Sequence, residues 1–191
     1  MLYSSEVEPI KKVKDINKVK QYLYGKQNKR DYCIFVVGIN VGLRAGDLLR
    51  LKIGDVTDGK RVLDEVSIKE EKTGKIKTFA LNTSAKEAIQ LYLNTLSAKD
   101  PKGYLFKSQK GGHLGVRSLH YIIKSTMSDL KIEGNYGTHT LRKTMAYHRY
   151  INNVPLETIQ KMLNHSSSAI TLRYIGITKE VIIDCYNSVN L

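Results

Sequence analysis

The sequence has few cysteines and no long apolar run. Its two cysteines, Cys33 and Cys185, are too few for a disulfide framework or a zinc site, so a reducing, cytoplasmic compartment is expected. The most apolar stretch, residues 33–43, is much shorter than the ~20 residues that cross a bilayer. The first ten residues lack the charged leader and apolar core of a signal peptide. No membrane association is expected.

Acidic residues are the minority among the charged ones. The chain has 31 Lys and Arg against 18 Asp and Glu, a net charge of +13. A pI near 9.6 favours a polyanionic partner such as nucleic acid, but many small soluble proteins are also basic. The charges are dispersed, and no Lys/Arg tract resembles a disordered arm.

Hydrophobic periodicity predicts one mainly helical domain, because no repeat or linker divides the 191 residues. The expected fold class is α+β, a single domain with a small antiparallel three-stranded sheet or hairpin. The hairpin turns at Thr73–Gly74, and a further strand is expected near 61–63. Asp15 and Thr138 are the predicted caps of two helices. The predicted helices cover residues 15–25, 30–41, 45–51, 84–96, 116–130, 139–152, 155–163, 168–174 and 178–186.

Several polar residues are candidates for chemistry, although each alone also fits a structural role. His139 and Arg142 are three residues apart, so on a helix they share a face that would suit a phosphate. Arg44 lies at a glycine-bounded turn, with Asp47 one helical step away. That pair could equally be a surface ion pair, worth about 0–1 kcal/mol.

Three further candidates are still less specific by themselves. His165 follows an apolar helix, where a histidine is usually a cap or a surface residue. Tyr174 is one of 12 tyrosines, most of which must be structural. Lys72 lies beside the hairpin tip, where lysines are normally solubilising. Three other lysines compete with it for any role: Lys69, Lys75 and Lys77.

The order of these motifs is more specific than any one of them. The runs GLRAGDLLRL, EEKTGK, THTLRKT and LNHSSSAITLRY resemble, in this order, the tyrosine recombinase (phage integrase) family. The resemblance covers residues 43–174, most of the chain. Asn164 departs from the pattern, because many members have glycine before the histidine.

The resemblance implies a catalytic domain that cleaves and rejoins DNA through a 3′-phosphotyrosine intermediate. It implies that Tyr174 is the nucleophile and that Arg44 and Arg142 bind the scissile phosphate. His139 is implied as the general base, and His165 as a phosphate ligand. Lys72 is implied as the acid that protonates the leaving 5′ oxygen. Asp47 would orient Arg44 or a neighbouring residue, and no cofactor, ATP or metal is expected.

The implied partners are double-stranded DNA and further copies of the chain, as a dimer or tetramer on DNA. Family members usually carry a separate helical domain before the catalytic one. None is expected within residues 1–191, so DNA binding weaker than that of two-domain relatives is predicted. The tail over 175–191 is predicted to be helical with an apolar side, which would pack on its own domain or dock on a neighbouring protomer.

Three other functions compete with this prediction. A DNA-binding relative without catalysis would be expected to have lost at least one of the six candidate catalytic residues. A type IB topoisomerase shares the phosphotyrosine chemistry, but the residues of the His-x-x-Arg and Leu-x-His motifs resemble those of integrases and favour a recombinase. A generic basic scaffold explains the charge and not the order of the motifs. The DNA site itself depends on a few groove-facing side chains that the sequence does not identify.

Overall fold

Helices dominate the fold, with one small sheet. The computed structural model describes residues 6–177, 183 and 186–188. The elements are α1 (Val13–Gly25), α2 (Lys29–Val41), α3 (Ala45–Leu49), α4 (Ile53–Val56), β1 (Glu65–Lys69), β2 (Ile76–Ala80), α5 (Thr83–Leu93), α6 (Val116–Asp129), α7 (Thr138–Ile151), α8 (Leu156–Leu163) and α9 (Ser168–Ile175). Among the described residues, no helix is both long and apolar enough to cross a membrane.

The centre of the domain is α2, which contains most of the most apolar stretch of the sequence. Its residues from Cys33 to Ile39 are all buried, as expected for a helix that others surround. Helices α1, α5 and α7 pack against it. At Gly38 a Cβ atom would lie 2.6 Å from the Leu141 side chain, so glycine allows α7 to approach closely.

A left-handed glycine ends α2 and turns the chain towards Arg44. Gly42 has φ +67°, a conformation that glycine adopts without steric cost. The carbonyl oxygen of Gly42 accepts a hydrogen bond from Arg142 Nη1, which fixes α7 to the end of α2. Two of the sequence motifs, the first arginine and the His-x-x-Arg pair, thereby meet.

The sheet has two strands where three were predicted. β1 and β2 pair antiparallel from Glu65↔Ala80 to Lys69↔Ile76, and the hairpin turns at residues 70–75 as expected. In the described chain, the predicted strand near 61–63 forms only an isolated bridge between Val62 and Thr57. The reason is local: a tight turn bonds Asp58 N–H to the Arg61 carbonyl, so this segment folds back on residues 56–57 and does not reach β1.

The predicted helices up to residue 174 are confirmed, apart from their ends, and the short α4 was not predicted. Helix α1 begins at Val13, so Asp15 lies in its first turn and does not cap it. Gly137, and not Thr138, is the N-cap of α7. Pro155 immediately precedes α8. The predicted tail helix falls mostly outside the described residues.

A second apolar cluster holds the C-terminal helices together. Its buried members come from α7, α8 and α9, and Tyr174 packs against them. They are Met145, Ala146, Ile159, Leu163 and Ile175. This cluster fixes the helix that carries Tyr174 against the helix that carries His139 and Arg142.

Candidate active site

Tyr174 lies one residue before the end of α9, half-buried and in contact with α7. The helix begins at Ser168, where the Ser167 side chain accepts a hydrogen bond from Ile170 N–H. Thr171 and Ile175 face the interior, which directs the intervening turn of the helix towards α7. The Tyr174 hydroxyl lies 2.9 Å from Nδ1 of His139.

His139 and Arg142 share one face of α7, as their spacing predicted. The His139 ring packs edge-on to the Tyr174 ring. Partial burial of the imidazole, with the charges of Arg142 and Lys143 close by, holds the pKa of His139 below its usual range. The ring is therefore neutral at pH 7 and can accept a proton from the phenol at Nδ1.

Arg142 is almost completely buried, with 2% of its surface exposed. It donates to the carbonyl oxygens of Gly42 and Leu163, and its Cζ lies 5.9 Å from the centre of the Tyr174 ring. Burial lowers the pKa of the guanidinium, yet an arginine stays charged at neutral pH. The two carbonyl bonds use two of its five N–H groups, so the rest remain for the phenol and for an anion beside it.

Opposing effects act on the Tyr174 hydroxyl. Burial raises the pKa of Tyr174, whereas the charge and hydrogen bond of Arg142 and the charge of Arg44 lower it, and burial prevails. Lys143 Nζ lies 5.2 Å from the centre of the Tyr174 ring. The phenol is thus protonated at neutral pH, within a basic pocket that would favour the phenolate as it forms.

Arg44 reaches the hairpin from the start of α3. Its Nη1 donates to Glu70 Oε1 at 2.6 Å and lies 4.0 Å from Asp47 Oδ2. Asp47 Oδ1 accepts from the backbone N–H of Glu71 at 2.9 Å. Asp47 is therefore close to Arg44, as predicted, but its shorter contact is the hydrogen bond to the hairpin turn.

His165 lies on the other side of Tyr174, with the two ring centres 5.0 Å apart. Its Nδ1 is 3.1 Å from the hydroxyl of Thr171. Burial, together with the charges of Arg142 and Arg44, lowers the pKa of His165 to about 4. The Thr171 hydroxyl donates its one proton to the Ser167 carbonyl at 3.3 Å, so it accepts from Nδ1–H, and Nε2 of the neutral ring carries the lone pair.

Of the four hairpin lysines, Lys77 is the one that points into the site. Lys72 is exposed on the turn, and its charge contributes to the lowered pKa of His139. Lys77 is half-buried, and its Nζ donates to the Met162 carbonyl at 2.8 Å. Burial and the charge of Arg142 lower the pKa of Lys77 to about 8.

The structure thus gathers five predicted residues around one basic pocket: Arg44, His139, Arg142, His165 and Tyr174. Lys72 is on the adjacent turn, outside direct contact, and Asp47 lies behind Arg44. In the part of the chain that the structure describes, no group of three or more metal-ligating side chains occurs. The pocket is lined by arginine, lysine and histidine side chains, whose charges act together on Tyr174 and His139.

Sequence reasoning did not identify Glu70 or Lys77 as residues of the pocket, and the role predicted for the exposed Lys72 stays a prediction. Strand alternation contained the missing information, since side chains two residues apart share a face. Val66 and Ile68 place Glu70 on the inner face of β1, and Phe79 places Lys77 on the inner face of β2. The buried Lys143 was not identifiable, because its position depends on how α9 packs.

Comparison with solved structures places the fold in one class. The solved structure of the XerA recombinase superimposes with a TM-score of 0.76 at 21% identity, over 96% of this chain and 65% of that one. The XerH site-specific recombinase, bound to its palindromic difH substrate, superimposes with a TM-score of 0.71 at 19% identity, over 95% of this chain and 53% of that one. The fold is that of a tyrosine recombinase catalytic domain.

Sequence comparison identifies the family. The profile described as "Phage integrase family" matches residues 9–180. The "Probable integrase/recombinase YoeC" of Bacillus subtilis is 39% identical, over 91% of this chain and 92% of that protein. The tyrosine recombinase XerC of Caldanaerobacter subterraneus is 30% identical, over 86% of this chain but 46% of that protein. The chain belongs to the phage integrase family, which confirms the resemblance seen in its motifs.

Proposed function

We propose that this protein is a site-specific DNA recombinase that cleaves and rejoins strands through a phosphodiester bond to Tyr174. The observation that carries the proposal is the 2.9 Å contact between the Tyr174 hydroxyl and His139 Nδ1, beside the buried guanidinium of Arg142. A nucleophile, a neutral base and a fixed cation are the three groups that transesterification at a phosphate needs.

The cleavage step follows from this arrangement. The Tyr174 oxygen attacks the scissile phosphorus and its proton passes to His139 Nδ1, while Arg44 and Arg142 bind the non-bridging oxygens. The bond from phosphorus to the 5′ oxygen breaks, and that oxygen takes a proton from Lys72. The phosphate remains attached to the 3′ strand end and to Tyr174.

Rejoining reverses these steps on a different strand end. An incoming 5′ hydroxyl passes its proton to Lys72 and attacks the phosphorus of the phosphotyrosine, and the phenol leaves with the proton that His139 returns. The phosphotyrosine retains the energy of the broken ester, so ATP is not required. The negative phosphate favours the protonated form of His165, whose Nε2–H donates to it while Thr171 holds the ring at Nδ1.

The proposed role of Lys72 requires movement of the hairpin turn. Lys72 is exposed and lies beside the pocket, so DNA must draw its ammonium group towards the leaving oxygen. Lys77, which is already inside, adds a second cation for the phosphate.

The proposed partners are double-stranded DNA and further copies of this chain. The net charge of +13 suits a phosphate backbone. The substrate of the solved XerH complex is palindromic, and a palindrome offers two equivalent half-sites. By analogy, we expect this chain to act as a dimer or tetramer on paired DNA sites.

Covalent trapping tests the proposal. The protein is incubated, in the presence of a chelator, with nicked suicide duplexes built from candidate attachment sequences. We expect an adduct that survives denaturation, forms with wild type and with the Tyr147→Phe control, and is absent with Tyr174→Phe. Tyr147 is a suitable control because it packs in the same apolar cluster. An adduct that persists in Tyr174→Phe would assign the nucleophile to another residue.

A further inference from the structure

Glu70 lies at the meeting point of three segments of the site. Only 1% of its surface is exposed. Oε1 accepts from Arg44 at 2.6 Å, and Oε2 accepts from the Thr73 hydroxyl at 2.7 Å and from the Asn164 amide at 3.1 Å. One carboxylate therefore joins the start of α3, the hairpin turn and the end of α8.

Each partner of Glu70 is a catalytic candidate or adjoins one. Arg44 is a proposed phosphate ligand. Thr73 follows Lys72 in the turn, and Asn164 precedes His165. Asn164 ends α8 with φ +53°, and its side chain supplies an amide donor that glycine at this position would lack.

The charge state of Glu70 suits this role. Burial alone would raise its pKa, but the hydrogen bonds from Thr73 and Asn164 and the charge of Arg44 outweigh burial and hold the pKa of Glu70 below its usual range. A carboxylate with three donors is ionised at neutral pH and has a fixed orientation.

We propose that Glu70 is a positioning residue that holds Arg44, the turn of Lys72 and the segment before His165 in the arrangement that receives the scissile phosphate. This inference rests on the recombinase function proposed above. Glu70 occupies Nη1 of Arg44, so the remaining edge of the guanidinium is directed at the phosphate. The bond to Thr73 limits the positions from which Lys72 can swing towards the leaving oxygen.

A simple electrostatic role for Glu70 makes the opposite prediction. If Glu70 only competed with phosphate for Arg44, removing its charge would strengthen DNA binding and speed cleavage. A positioning role predicts slower cleavage at saturating DNA, with binding unchanged or slightly tighter, because a negative charge has left a basic surface.

The first test measures single-turnover adduct formation and DNA affinity for Glu70→Gln. Glu71→Gln is the matched control, since Glu71 is the adjacent carboxylate, is 51% exposed in its side chain and pairs with Arg50 outside the pocket. We expect Glu70→Gln to cleave about 10–100-fold more slowly and Glu71→Gln to match wild type. A Glu70→Gln rate equal to or above that of the control overturns the inference.

The second test uses Thr73→Val and remains available if Glu70→Gln does not fold. This variant keeps the side-chain shape on an exposed turn and removes the donor to Glu70 at 2.7 Å, together with a longer contact from the Lys75 backbone N–H at 3.3 Å. We expect Thr73→Val to cleave normal DNA more slowly than wild type. On DNA with sulfur in place of the leaving 5′ oxygen, its cleavage rate should return to that of wild type, because a thiol with a pKa of about 8.5 leaves without needing a proton. No slowing on normal DNA, or slowing that sulfur does not relieve, contradicts the link from Glu70 to Lys72.

These outcomes separate the two proposals. If wild type and Glu71→Gln form no adduct on a duplex that they bind, the recombinase function fails and the positioning role fails with it. If both form the adduct and Glu70→Gln is unimpaired, only the positioning role is refuted.

Discussion

Replacing Arg142 by lysine is expected to damage both stability and cleavage. The guanidinium bridges the carbonyl oxygens of Gly42 and Leu163 while its charge acts on Tyr174. A lysine ammonium is a single nitrogen on a flexible chain and cannot reproduce this planar fork. At least one buried carbonyl would lose its donor.

The structure sets the expected size of each effect. One buried acceptor left without a partner costs about 1–3 kcal/mol of unfolding free energy. Loss of one preorganised donor to the developing phosphate charge lowers the rate by about 10²–10³. Urea denaturation measures the first quantity, and single-turnover adduct formation at saturating DNA measures the second.

Arg149→Lys provides the control on the same helix. Arg149 Nη2 donates to the Asn40 carbonyl at 2.8 Å, so it also ties α7 to the end of α2, but none of its hydrogen bonds reaches Tyr174. We expect Arg149→Lys to lose stability and to retain its cleavage rate. If Arg142→Lys cleaves as fast as Arg149→Lys, the proposed role of the buried guanidinium is wrong.

Three other predictions concern the backbone, pH and salt. Gly42→Ala should lower the free energy of unfolding by at least about 1–2 kcal/mol, because Gly42 has φ +67° and the new Cβ would lie 2.0 Å from Met145 Cε. An unchanged denaturation midpoint would contradict this. The pKa of His139 lies below its usual value, so the cleavage rate at subsaturating DNA should fall with decreasing pH only below about pH 6.5. His139→Gln should abolish this fall in rate at acid pH. A fall that begins above pH 7 would exclude a neutral His139 as the base. If the protein contacts about eight phosphates, a plot of the logarithm of the DNA association constant against the logarithm of the salt concentration should have a slope near −7. A titration from low to physiological salt measures this slope. A slope near zero would refute phosphate-dominated binding.

The helices and most of the site could be predicted because their determinants are local. A spacing of three residues fixes the shared face of His139 and Arg142 wherever α7 packs. The apolar run of α2 predicts a central helix, and Thr73–Gly74 predicts the hairpin turn. The motif order supplied the link between Tyr174 and the arginines, which are distant in sequence.

The remaining features depend on contacts between distant segments. The third strand was a wrong prediction because the turn at residues 58–61 pairs residues 62–63 with 56–57. Strand alternation places Lys77 and Glu70 on the inner face, but several of their partners there are more than 20 residues away: Met162 for Lys77, and Arg44 and Asn164 for Glu70. The burial of Lys143 follows from the position of α9, which no local pattern encodes.

Identification of the residue that becomes attached to DNA is the most direct test of the proposed phosphotyrosine intermediate. The adduct formed on a nicked suicide duplex is digested with protease and nuclease, and the peptide that retains a nucleotide is sequenced by mass spectrometry. A recombinase with Tyr174 as its nucleophile will carry a 3′-linked nucleotide on Tyr174, in a peptide from α9 (Ser168–Ile175). A nucleotide on any other residue, or a 5′ linkage, would contradict it.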